Sequence, residues 1–85
     1  MTTLAQLIES MRRNPADVRF ADLKRVCEIC FGKPRQSASS HMVFKTPWIG
    51  DPRINIQNDH GRAKAYQVRQ VLTAIAKLEE TNHAQ

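Results

Sequence analysis

Cysteine is scarce. Cys27 and Cys30 are the only two in 85 residues, too few for the disulfide scaffold of a small secreted domain. No uninterrupted apolar stretch approaches the ~20 residues that a membrane-spanning helix needs. The opening run from Met1 to Glu9 has no basic region ahead of a long apolar segment, so it does not read as a signal peptide. A soluble cytoplasmic protein with no membrane partner is the expectation. The chain is also too short for a second, cofactor-binding domain. A domain of this size buries only about 60% of its unfolded surface, which leaves a modest core and a shallow site. No cofactor is expected. There is no internal repeat and no low-complexity tract.

Acidic residues are outnumbered: eight Asp and Glu stand against thirteen Lys and Arg, a net charge of +5. That balance favours nucleic acid or an acidic protein as partner. The 41% hydrophobic content is that of a globular chain and not a disordered one. Between residues 33 and 64 lie six of the basic residues and only two acids, Asp51 and Asp59, a local net charge of +4.

Periodicity divides the chain into helices and strands. Leu4, Leu7, Ile8 and Met11 recur at i, i+3, i+4 and i+7, one helical stripe over Thr3 to Arg13. Thr3 and Gln6 match a capping box, and Asn14-Pro15 ends the segment. So short a helix must pack on the domain, a second copy or a partner. A second helix is expected from about Phe20 to Phe31, with Phe20, Leu23, Val26, Cys27, Cys30 and Phe31 inward and Gly32 as its stop. Lys33 to Ser37 suits a short edge strand. Ser40 to Thr46 alternates, with Met42 and Phe44 on one face, and Arg53 to Gln57 repeats the pattern with Ile54 and Ile56. Pro47 to Pro52 reads as a loop and Asn58 to Ala63 as a polar turn. The last helix, roughly Lys64 to Glu80, presents Val68, Val71, Leu72, Ile75 and Leu78, and residues 81–85 read as a flexible tail.

The fold class implied is α+β: a three-stranded antiparallel sheet packed on helices. Its uncovered face would collect His41, Val43, Lys45, Arg53, Asn55 and Gln57. A histidine, two cations and two amides suit a phosphate-bearing ligand better than a core. An imidazole titrates near neutrality and can exchange a proton with a ribose 2′-hydroxyl or a leaving 5′-oxygen. Lys45 and Arg53 would stabilise charge on the phosphoryl oxygens. No metal is needed for that chemistry. On spacing alone, a surface histidine at a loop–strand junction presents the same pattern. Arg62 and Lys64 precede the last helix, whose start could hold a phosphate; an ordinary solvated turn accounts for them equally well. Cys27 and Cys30 look like half a zinc or redox site but lie on an apolar stripe, where core packing is the simpler role. Trp48 either stacks on a base or closes one end of the core.

Ser39-Ser40-His41-Met42-Val43-Phe44, then a second strand, then Lys64-Ala65-Tyr66-Gln67-Val68-Arg69-Gln70-Val71-Leu72, resembles the HicA toxins, small bacterial ribonucleases. Their signature is Gly-Ser-His at a strand start and a final helix opening on a lysine-rich turn. The likeness spans about Val18 to Leu78. It implies a double-stranded-RNA-binding-like α-β-β-β-α domain over residues 18–80, with residues 1–17 added as a helix and turn. The implied activity is metal-independent cleavage of mRNA by a toxin-type endoribonuclease, blocked by a HicB-type antitoxin. His41 takes the place of the catalytic histidine; the RNA-binding candidates, read from the strand face and the helix start, are Ser40, Lys45, Arg53, Asn55, Arg62 and Lys64. Two positions depart from the family pattern. Ser39 stands where glycine is usual, and Asn58 aligns near a further histidine that many members carry, with His60 offset. The competing readings are a non-catalytic RNA-binding module using the same basic face, and a structural subunit docked through its N-terminal helix.

Overall fold

The computed structural model describes residues 3–37, 41–48 and 53–83. Its first helix, α1 (Leu4–Arg13), opens on a reciprocal cap. The Thr3 hydroxyl accepts the Gln6 N–H at 3.2 Å and the Gln6 side-chain oxygen accepts the Thr3 N–H at 2.8 Å. Two of the helix's orphan donors are thereby satisfied. Arg12 and Arg13 lie in the last turn, where the helix dipole favours cations. Leu7 and Met11 are buried against α2 (Phe20–Phe31) and α3 (Ala65–His83), so α1 packs on its own domain.

Helix α2 has no side-chain cap at Arg19. A hairpin supplies the missing partner instead, because the Phe20 N–H donates to the Gly61 carbonyl at 3.0 Å. The Ala63 N–H answers by donating to the Val18 carbonyl at 2.8 Å. Gly32, at φ +88°, ends the helix in a backbone region that side-chain-bearing residues avoid.

The strands are β1 (Gln36–Ser37), β2 (His41–Phe44), β3 (Ile54–Asp59) and β4 (Arg62–Ala63), antiparallel in that spatial order. The β2–β3 register pairs His41 with Gln57, Met42 with Ile56, Val43 with Asn55 and Phe44 with Ile54. Met42, Phe44, Ile54 and Ile56 all point into the core, where Leu23, Val26, Cys27, Val68 and Val71 cover them. The three-stranded antiparallel meander on helices is therefore present, as the alternation predicts.

The structure differs from the sequence pattern in two places. Asn58 to Ala63 is a hairpin and not a plain turn: β3 runs on to Asp59, and β4 returns through His60 (φ +54°) and Gly61 (φ +86°). Two consecutive positive φ values are the signature of a tight two-residue hairpin whose twist matches the strands. Helix α3 continues to His83, three residues past the expected Glu80. On α3, Gln67 and Ala74 are buried with Val68, Val71 and Ile75, while Leu72 is only half-buried.

Candidate active site and nucleic-acid interface

His41 opens β2 on the face away from the helices, and its side chain is exposed. Pleating puts Val43 and Lys45 on the same side, with Asn55 and Gln57 across from them on β3. His41 is paired directly with Gln57, and their Nε2 atoms lie 2.5 Å apart. The β2–β3 ladder stops at Phe44–Ile54, one step short of Lys45 and Arg53. The same register would place those two cations opposite one another, where like charges repel.

Gln57 is bound on its other side by the start of α3. Strand β4 pairs with β3 at Asn58 and Asp59 and stops short of Gln57, whose N–H is not taken up by that ladder. The side-chain oxygen of Gln67 accepts it at 2.8 Å. The Gln67 Nε2–H donates to Gln57 Oε1 at 3.1 Å, and the Tyr66 hydroxyl lies 3.4 Å from that same oxygen. One continuous chain of polar contacts thus runs from α3 through β3 to His41.

The charged residues are spread more widely than their sequence spacing suggests. Lys45 lies four positions from His41, which separates their Cα atoms by roughly 13 Å along an extended strand. Lys45 therefore suits a flanking phosphate and not the one His41 would act on. Arg53 and Asn55 border a shallow groove of about 350 Å³, shared with Trp48, Gln70, Thr73 and Lys77. Trp48 is packed against the core, its ring covered by the Lys77 ammonium at 4.5 Å and its indole N–H buried. That placement matches the core-closing role better than a base-stacking one.

Arg62, on β4, forms an ion pair with Asp17, so part of its charge is already engaged. Lys64 is half-buried, and its carbonyl accepts two N–H groups from the first turn of α3, those of Gln67 and Val68, at 3.0 Å each. Ser40 lies outside the described residues. Asn58 is a turn residue whose side chain accepts the Gly61 N–H at 2.6 Å. His60 sits at the exposed hairpin tip, its Nδ1 2.9 Å from Asp59.

Scans against protein-family models, curated proteins and solved structures find no match for this chain. The assignment of chemistry therefore rests on the residues themselves.

Cys27 is wholly buried and Cys30 half-buried, and both are free thiols. Burial, reinforced by the neighbouring Cys30 and Glu28 charges, pushes the Cys27 thiol from the usual 9.0 up to about 12. Burial and then Glu79 raise the Cys30 thiol as well. A thiol held neutral is a poor nucleophile. Both side chains act as small apolar residues in the core, as their place on the α2 stripe implies. The alternation places Gln57 on the face of His41, whereas Tyr66 and Gln67 are site residues that the hydrophobic pattern does not single out. The available signal was Gln67 itself, a polar residue 3% exposed in the inward face of a helix.

Proposed function

We propose that this chain is a toxin-type endoribonuclease that cleaves mRNA with His41 as its proton carrier and is neutralised by an acidic, HicB-type antitoxin. The supporting observation is an exposed imidazole on an open, basic sheet face, with Nε2 held at 2.5 Å against a tethered amide. His41 takes the proton of a ribose 2′-hydroxyl, and the 2′-oxygen attacks the adjacent phosphorus. The P–O5′ bond breaks, and the departing oxygen receives a proton. The products are a 2′,3′-cyclic phosphate and a 5′-hydroxyl end. Every proton movement in this scheme passes through the His41 imidazole, and the scheme calls for no metal.

Lys45 and Arg53 bind phosphates to one side of the scissile position, and Lys64 and Arg62 to the other. A shallow, open face is the right shape for a strand of RNA. The resemblance to the HicA toxins over about residues 18–78 implies the same activity and the same histidine. An antitoxin with an acidic surface would cover this face by charge complementarity.

Purified protein incubated with RNA in EDTA tests the reading. Wild type should cleave, and His41→Ala should cleave at least about 10²-fold more slowly, the scale of lost acid–base catalysis. Equal cleavage by both chains overturns the assignment. Salt-sensitive binding with no cleavage by either would establish an RNA-binding module instead.

A further inference from the structure

Which nitrogen of a histidine carries the hydrogen, and which way an amide points, are usually interchangeable choices. Here a backbone group removes the choice. The Gln57 N–H can only donate, so the Gln67 atom 2.8 Å away must be its carbonyl oxygen. The other end of that amide is then Nε2, which can only donate, and it meets Gln57 at 3.1 Å. The Gln57 atom there must be Oε1. Gln57 Nε2, a donor without a lone pair to offer, consequently faces His41 Nε2 at 2.5 Å. A second hydrogen between those two nitrogens would be repelled. His41 Nε2 must therefore carry the lone pair, and the ring hydrogen sits on Nδ1.

We infer that Gln67 and Gln57 are positioning residues, acting in series to hold His41 as the Nδ1–H tautomer with Nε2 as its basic nitrogen. The inference rests on the proposed ribonuclease activity only for its catalytic consequence; the tautomer follows from the hydrogen bonds alone. When RNA binds, the 2′-hydroxyl takes the place of the Gln57 amide against Nε2. Its O–H bond breaks, with the proton going to Nε2 and the electron pair forming the O2′–P bond. The P–O5′ pair leaves with O5′, and the imidazolium returns its proton to that oxygen. The displaced Gln57 Nε2–H remains beside the phosphate as a donor. Burial of Gln67 explains why it, and not a solvent-facing residue, anchors the chain: a buried amide must satisfy both of its ends.

The test is long-range ¹H–¹⁵N NMR of the whole labelled chain at about pH 8, above the ordinary imidazole range. Wild type should show His41 with a bare Nε2 and a protonated Nδ1. Gln67→Glu keeps the acceptor for the Gln57 N–H and removes the donor, so the Gln57 amide turns and offers its oxygen to His41. The His41 hydrogen should then move to Nε2 while the His60 signals stay put. In the same variant kcat for RNA cleavage should fall about 10²-fold with KM unchanged. Gln57→Glu is a second route to the same result that leaves the buried Gln67 intact. Its carboxylate still accepts from Gln67 and presents only acceptors to His41, which again draws a hydrogen to Nε2. A protonated Nε2 in neutral wild type, or an unchanged His41 tautomer in both folded variants, overturns the inference. If the tautomer moves as expected but wild type cleaves no RNA, the positioning chain stands and the ribonuclease reading falls.

Discussion

Met11→Ala tests how far α1 belongs to the domain. Met11 is 2% exposed and sits where α1 meets α2 and α3. Truncating a fully buried methionine removes its transfer free energy and leaves a cavity, together costing about 2–5 kcal/mol. A domain of 85 residues has a total stability of roughly 4–13 kcal/mol. A loss near 3 kcal/mol is then a large fraction of what holds the chain folded. With a urea slope of about 1–1.5 kcal/mol/M, the midpoint should fall by about 2–3 M. The chain's single tryptophan, Trp48, reports the transition by fluorescence, because it packs on the core beneath Lys77 of α3. Far-UV circular dichroism follows the helices, and the two curves should move together. Arg12→Ala, on the exposed face of the same helix, should stay within ~0.5 kcal/mol of wild type. A Met11→Ala midpoint equal to that of Arg12→Ala would refute the packing argument. It would also restore the view of α1 as a docking arm, in which loss of the helix abolishes assembly without touching the domain.

Three further outcomes follow from charge and burial. Lys45→Ala should weaken RNA binding at every sequence and flatten the slope of log K against log salt by about 0.7, read by anisotropy across a salt series. Arg62→Ala should cost less, because Asp17 already holds that guanidinium. The folded Cys27 keeps its proton up to about 12 whereas the unfolded thiol loses it from 9.0, so above 9.0 the unfolded state binds fewer protons and stability falls with rising pH. Urea midpoints should therefore decline between 9.0 and about 12 in wild type and much less in Cys27→Ser or Cys27→Ala; parallel declines would show that another group controls the alkaline limb.

What the sequence could reveal follows from what a periodicity measures. The stripe of Leu7 and Met11 and the alternation of Met42, Phe44, Ile54 and Ile56 record burial, so they placed the helices, the meander and its covered face. Asn58 to Ala63 escaped that measure because the end of β3 is polar on both faces, and its turn dipeptide, His60-Gly61, asks a non-glycine residue to adopt φ +54°. Gln67 escaped it for the opposite reason: it is buried like the apolar residues beside it but is not one of them. The same limit applies to charge. A count of +4 between residues 33 and 64 says nothing about distance, and the fold separates Lys45 from His41 while tying Arg62 to Asp17. The chemistry gathers where the open edge of β3 meets the first turn of α3, and it does so because β4 is two residues long. A longer β4 would have paired the Gln57 N–H within the sheet. Gln67 would then have no donor to fix its amide, and Gln57 could turn either end of its own amide toward His41.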